Sequence, residues 1–273
     1  MRQQSSLAQS SLARHLASAA VAAIFAVGLC GCQTTSDVTG SLMPKSEASP
    51  DADPRRAVEV SGERYRANPK DADAALAYGQ ALRATGQRSQ AAAVLEQASI
   101  AHPGNKALLA AFGRSLADNG NFQASFDVLT RAHTPDNPDW RILSVQGTVL
   151  DQLGRHDEAR DYYASALRIV PDEPSVLSNL GLSYVLSRDL PKAEETLRKA
   201  YASGRADARV RQNLGLVVGL QGRFAEAESI VKADLPSDQA AANVAYLKQM
   251  LSRKDNPRSA SGKVPMASLN APD

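Results

Sequence analysis

The chain has 273 residues, of which 43% are apolar and only 5% are aromatic. Much of the apolar fraction is alanine and leucine, which favour helices, whereas the residues that favour strands are scarce. Its 31 basic and 29 acidic side chains give a net charge of +2 without a long block of either sign. The residue content therefore predicts an all-α protein. Nucleic-acid binding needs a concentrated basic face, so we expect no nucleic-acid partner.

The first residues have the pattern of an export signal. Two arginines precede the uncharged apolar run 16–32, which is shorter than the about 20 residues a helix needs to span a bilayer. Its last four letters, LCGC, resemble a bacterial lipobox, in which the cysteine after the cleavage site is lipidated. Bulky Leu29 would fit poorly just before a cleavage site at Cys30. We therefore predict a signal peptide at 1–31 and lipidation of Cys32; an uncleaved signal anchor is the alternative.

Two segments are too polar to fold on their own. Residues 32–54 are rich in Ser, Thr, Asp and Pro without an apolar period, and residues 254–273 have a similar composition. Such segments bury too little apolar surface to offset the entropy of ordering. We expect a flexible tether at the first and a disordered tail at the second.

The region between them repeats every 34 residues. The clearest row consists of glycines: Gly79, Gly113, Gly147, Gly181 and Gly215. A second row of small residues follows at the same spacing: Ala91, Ser125, Ala159, Ala193 and Ala227. This period, with glycine or another small residue at fixed positions, resembles the tetratricopeptide repeat, in which each unit is a pair of antiparallel helices A and B.

The resemblance implies an α-solenoid, a right-handed superhelix of helix pairs with polar capping helices. The five units are residues 72–105, 106–139, 140–173, 174–207 and 208–241. We expect capping helices at 55–71 and 241–253. The glycine at position 8 of each unit would let helix B approach helix A closely, which offsets its helix-propensity cost of about 1 kcal/mol.

No pattern typical of catalysis or metal binding is present. The chain has no phosphate-binding glycine loop and no HExxH or GxSxG string. His102, His133 and His156 fall at predicted turns or helix ends in different units, where solvated histidines are expected. We therefore predict no enzyme activity, metal, cofactor or small-molecule substrate.

The expected binding surface is the concave groove lined by the A helices. Asn179 and Asn213 occupy the same position in successive units, so their amides could bind the backbone of an extended peptide; simple solvation of the helices is the alternative. The Lys/Asn carboxylate clamp of chaperone-tail repeat domains is absent, since its positions hold Leu76 and Gln80. The candidate groove residues are Arg114, Arg141, Ser144, Asp151, Asn179, Arg209, Gln212 and Asn213.

Longer strings resemble one family of repeat proteins. GERYRANPKDADAALAYGQALRATGQ, RAHTPDNPDWRILSVQGTVLDQLGRHDEA and PSVLSNLGLSYVLSRDLPKAEETLRKA, within residues 62–251, are similar to the TadD family of tight adherence (Flp) pilus assembly lipoproteins. The resemblance implies an outer-membrane lipoprotein that faces the periplasm and helps assemble the secretin pore or another part of the pilus secretion machine. Alternatives are a scaffold for another envelope system, such as outer-membrane protein insertion or murein enzymes, and a hydrolase with an unrecognised site.

Overall fold

The computed structural model describes residues 53–255, with side chains described as far as residue 252. This part of the chain contains twelve α-helices and no β-strand, so the predicted all-α class is confirmed. The predicted signal peptide, the lipidation site Cys32, the tether as far as residue 52 and the tail from residue 256 lie outside the described residues.

The helices follow one another with short connections. In chain order they are α1 (Pro54–Ala67), α2 (Ala72–Ala84), α3 (Arg88–Ala101), α4 (Lys106–Asp118), α5 (Phe122–Arg131), α6 (Trp140–Gln152), α7 (His156–Ile169), α8 (Pro174–Leu186), α9 (Leu190–Ala202), α10 (Ala208–Leu220), α11 (Phe224–Val231) and α12 (Ser237–Asp255). The even-numbered helices α2 to α10 begin at the first residues of the five predicted units. They are the A helices, and α3 to α11 are the B helices.

The two outer helices differ from the expected bounds. Helix α1 begins at Pro54, inside the predicted tether, because Asp53 accepts a hydrogen bond from the backbone N–H of Arg55 and proline suits the first turn. It ends at Ala67, since the residue before Pro69 is disfavoured in the α conformation. Helix α12 begins at Ser237, four residues before the predicted start at 241.

Each A helix begins with a side-chain cap that the sequence analysis missed. Asp71, Asn105, Asp139, Glu173 and Asp207 each accept a hydrogen bond from a backbone N–H in the first turn of the helix that follows. The five residues are spaced by 34, so the cap belongs to the repeat. Such caps contribute about 0.5–2 kcal/mol each, and they fix where every unit begins.

Residues 53–206 and 207–255 form two compact units. In the first, each helix packs on the next, and the A helices α2, α4, α6 and α8 also contact one another in order. The core is continuous between repeats there: Leu109, Leu129 and Val149 come from three successive helices and share one apolar cluster. In the second unit, α10, α11 and α12 pack against one another.

The glycine row marks the closest helix contacts. A Cβ added to Gly79 would lie 2.5 Å from Cγ of Leu95, and one added to Gly147 would lie 2.6 Å from Cε1 of Tyr163. The same clash is found at Gly113, Gly181 and Gly215, each with the B-helix residue 16 positions later. These glycines are therefore required by packing between the helices of a pair.

We predict that Gly147→Leu destabilises the protein by about 1–3 kcal/mol, because the new side chain overlaps Tyr163 and the helix pair must separate. The control is Gly104→Leu, since a Cβ at Gly104 would have no atom within 4 Å. Thermal unfolding measures both, at about 2–4 °C for each kcal/mol in a protein of this size. Equal melting temperatures for the two variants would contradict the packing role of Gly147.

Candidate partner-binding surface

Polar contacts join neighbouring A helices within residues 53–206. Nε of Arg83 on α2 donates to Oδ2 of Asp118 on α4 at 2.7 Å. Nδ2 of Asn179 on α8 donates to Oγ of Ser144 on α6 at 3.1 Å. We call the polar residues at positions 2, 5, 6, 9, 12 and 13 of the repeats that begin with α2, α4, α6 and α8, the positions expected to line the groove, the A-helix surface; they include Arg83, Asp118, Arg141, Ser144, Gln152 and Asn179. Some of its side chains hold the repeats together, so they are not all free to bind a partner.

Three of the candidate groove residues are buried. Arg114, Ser144 and Asp151 are only 4%, 7% and 7% exposed. The reason is that neighbouring A helices pack directly against one another, and residues on the sides of these helices are covered by the next repeat. The expectation that these three side chains line an open groove is therefore wrong.

The other candidates remain at least partly accessible. Within residues 53–206, Arg141 is half-buried, and so is Asn179, whose amide donates a hydrogen bond to Ser144. Within residues 207–255, Gln212 is exposed and Asn213 is half-buried. Arg209 is exposed and forms an ion pair with Asp207 at 3.2 Å. Asn179 lies within residues 53–206 and Asn213 within residues 207–255. That their amides bind one peptide together therefore stays a prediction.

Arg141 is the best-placed cation of the A-helix surface. Its guanidinium lies 4.6 Å from the centre of the Trp140 ring, which holds the side chain against the start of α6. Its Nε is buried and has no hydrogen-bond acceptor among the described residues. A buried donor without an acceptor is uncommon. The guanidinium as a whole has no ion pair or hydrogen bond with another described residue, so a carboxylate or carbonyl oxygen of a bound segment could pair with the accessible part of this half-buried side chain.

Asp151 instead lies at the centre of a buried polar cluster. Its Oδ2 accepts a hydrogen bond of 2.9 Å from the hydroxyl of Tyr163, and its Oδ1 accepts one of 2.8 Å from Ser183. Nδ1 of His156 lies 2.9 Å from Oδ1 of the same carboxyl group. Ser183 is on α8 and the others lie on α6 and α7, so this cluster joins the third repeat to the fourth.

The cluster has a defined electrostatic balance. Burial raises the pKa of Asp151, and the hydrogen bonds from His156, Ser183 and Tyr163 act in the opposite direction. Burial raises the pKa of the Tyr163 hydroxyl well above its ordinary value, and the neighbouring carboxylate adds to that increase. The hydroxyl therefore stays protonated and serves as a donor to Asp151.

A second buried polar contact lies where the second repeat meets the third. Gln146 is 1% exposed, its Nε2 donates to Oγ1 of Thr130 at 3.2 Å, and its Oε1 lies 3.0 Å from Nε2 of His133. His102 likewise lies 2.8 Å from the carbonyl oxygen of Lys70. The three histidines were expected to be solvated, but each is half-buried and contacts a protein group: His102 and His133 contact residues of an adjoining helix pair or turn, and His156 contacts Asp151 of its own repeat.

The sequence does contain a signal for these polar contacts. Gln146 occupies the position that holds Tyr78, Phe112, Leu180 and Leu214 in the other repeats. His156 aligns with an apolar residue in three of the other four repeats, Phe122, Leu190 and Phe224, and with Arg88 in the first. A polar residue that interrupts an apolar row predicts a buried hydrogen bond.

Within residues 53–255, no group of three or more His, Cys, Asp or Glu could hold a metal ion.

We predict that Tyr163→Phe destabilises the protein more at about pH 8 than at about pH 4. The hydroxyl stabilises the carboxylate of Asp151, so its loss raises the folded-state pKa further. A carboxyl group whose pKa is raised by folding contributes stability below its unfolded pKa, and that contribution is lost as the pH rises through the folded pKa. We expect a cost of about 1.5–3 kcal/mol with the carboxylate and less with the neutral acid.

Denaturant unfolding at both pH values measures this difference. The control is Tyr162→Phe, the same substitution at a half-buried neighbour whose hydroxyl forms no hydrogen bond with a described residue. A cost of Tyr163→Phe that does not change with pH would contradict the proposed link to Asp151.

Comparisons with known proteins give the repeat type. Residues 79–138 and 141–206 match two models of the tetratricopeptide repeat. Both models describe repeats, and neither is a catalytic family. An uncharacterized protein, y4yS of Sinorhizobium fredii (strain NBRC 101917 / NGR234), is 33% identical over 104 residues, which are 37% of this chain and 56% of that protein. The chain thus spans about half the length of this curated relative.

Solved structures agree on the fold. The hetero-tetramer Cut9–Hcn1 of APC/C matches with a TM-score of 0.61 at 19% identity, over 76% of this chain and 41% of that chain. TTC0263, a thermophilic TPR protein of Thermus thermophilus, matches with a TM-score of 0.57 at 21% identity, over 67% of this chain and 100% of that chain. The predicted fold class is confirmed: the chain folds as an all-α tetratricopeptide-repeat solenoid.

Proposed function

We propose that the protein is an outer-membrane lipoprotein on the periplasmic side that acts as a scaffold in assembly of the tight adherence (Flp) pilus secretion machine. It acts by binding protein partners, such as the pilus secretin, and it catalyses no reaction. The fold supports the binding role, since stacked repeats present an extended surface to partners. The strings within residues 62–251 support the pilus system, and the LCGC string supports a lipid anchor on Cys32.

The observation that carries the binding role is the state of Arg141 on the A-helix surface. Other charged side chains nearby are already used within the fold: Arg83 pairs with Asp118, and Asp151 is enclosed by its own donors. The half-buried guanidinium of Arg141 has no ion pair or hydrogen bond with another described residue, and Gln152 at the other end of α6 is exposed. A partner segment lying along α6 could contact both residues.

None of the helices within residues 53–255 is long and apolar enough to cross a bilayer. In the proposal, lipid on Cys32 attaches the protein to the outer membrane. A single acyl chain anchors weakly, whereas two or more chains hold a protein stably.

We predict that the double variant Arg141→Ala, Gln152→Ala forms few pili and assembles little secretin, although its cellular level stays normal. The truncations should cost little folding free energy: within about 0.5 kcal/mol for exposed Gln152, and about 0.5–1 kcal/mol for Arg141, which loses its cation–π contact with Trp140. Loss of their hydrogen bonds to a partner should weaken binding, at about 0.5–1.5 kcal/mol per neutral bond and more for a bond to a charged group. Electron microscopy of cells and immunoblots of secretin multimers measure the outcome.

The control is Arg168→Ala, Gln123→Ala, which removes the same residue types from the B helices α7 and α5, where both are exposed. Normal piliation in this control, with loss in the first variant, is the expected pattern. Cells with the double variant of the A-helix surface could form normal pili while cells with a complete gene deletion form few; another surface would then bind the partner. If cells with the gene deletion form normal pili, the protein serves another envelope system.

A further inference from the structure

Helix α5 ends about one turn earlier than the B helices of the first, third and fourth repeats. Helices α3 and α7 have 14 residues and α9 has 13, whereas α5 has 10 and ends at Arg131. The following residues turn back on themselves through a bridge between Thr134 and Asn137, and Pro135 and Pro138 prevent further helix there. The second repeat therefore lacks the last turn of helix B.

The missing turn leaves a pocket of about 190 Å³ between the ends of α3 and α5. Its apolar lining includes Ile100 from α3, Leu109 and Phe112 from α4, and Val128 from α5. Ile100 is 75% exposed, the highest value among the exposed large hydrophobic residues of the described chain. No other described helix covers this apolar side chain.

The size of the pocket indicates what it can hold. Pockets for small organic ligands typically have volumes of about 300–1,000 Å³, and this one is smaller. A cavity of about 150 Å³ accommodates a benzene molecule, so one large side chain fits. A protein segment can supply such a side chain and cover the exposed Ile100 with its own backbone.

Two charged residues flank the apolar lining. Glu96 on α3 and Arg131 on α5 both line the pocket, and both are exposed. Neither side chain has an ion pair or a hydrogen bond with another described residue. A basic and an acidic residue of a bound segment would therefore each find an available partner, one on each helix, which orients the segment.

We infer that this pocket is a second protein-docking site, on the B-helix side of the repeats and separate from the A-helix surface. Its occupant is a segment of a partner protein that inserts one large apolar side chain, such as Leu, Met or Phe. A basic residue of that segment pairs with Glu96, and an acidic residue pairs with Arg131. The inference does not depend on the pilus assignment, because it concerns a different surface.

The test is selection of 12-residue peptides from a phage-displayed random library against the full chain in detergent. We expect enriched peptides to share one large apolar residue between a basic and an acidic residue. Ile100→Asp should weaken their binding at least about tenfold, because an anchor residue then meets a charge. Val60→Asp is the control, since Val60 is 58% exposed on α1 and lies outside the pocket.

A charge exchange makes the test independent of packing. In the double variant Glu96→Arg, Arg131→Glu, selection should enrich peptides with the two flanking charges in reversed order. Failure to enrich a shared pattern, binding that Ile100→Asp leaves unchanged, or an unreversed charge order would each overturn the inference. So would an Ile100-dependent dimer of the chain, since a second copy would then occupy the pocket. A peptide whose binding is lost only in the double variant Arg141→Ala, Gln152→Ala binds the A-helix surface. Such a peptide bears on the proposed function and not on this inference.

Discussion

The contact between a glycine on each A helix and a larger side chain on the following B helix sets the geometry of every repeat. Because no Cβ intervenes, Leu95 packs directly on the backbone at Gly79, and Tyr163 packs on the backbone at Gly147. The two helices of a pair are thus held at one close distance. Since adjoining pairs within residues 53–206 have the same geometry, they stack with a continuous apolar core, and no pair has to be stable alone.

The third repeat satisfies this constraint with a different chemistry. Its B helix presents Tyr163 where the other repeats present Leu or Val, and the buried hydroxyl needs an acceptor. Asp151 supplies it, and Ser183 and His156 then satisfy the carboxyl group. Networks of this kind are costly unless every member is paired. We therefore regard the cluster as a device that fixes how the third and fourth repeats align.

The sequence predicts the repeated part of the fold well, because the glycine and alanine rows report contacts that recur in every unit. The A-helix starts follow from the same period, although the capping side chains at positions such as Asp71 and Asn105 were not recognised. The surface was harder to predict. Arg114 and Asp151 occupy positions that face a groove in a single helix pair, but both are buried, and Ser183 of the next repeat contacts Asp151. Such burial depends on packing between units, which no row of similar residues records.

The frame leaves two kinds of surface for partners, the polar side of the A helices and the apolar gap at the end of α5. The central functional claim is that the A-helix surface contacts the pilus machine. Site-specific photo-crosslinking in cells tests it most directly, with a benzophenone side chain at Gln152 and, as a reference, at Gln123 on α5. The account predicts a cross-link from Gln152 to the secretin or another pilus component and none from Gln123. Cross-links to that component from Gln123 alone would contradict it.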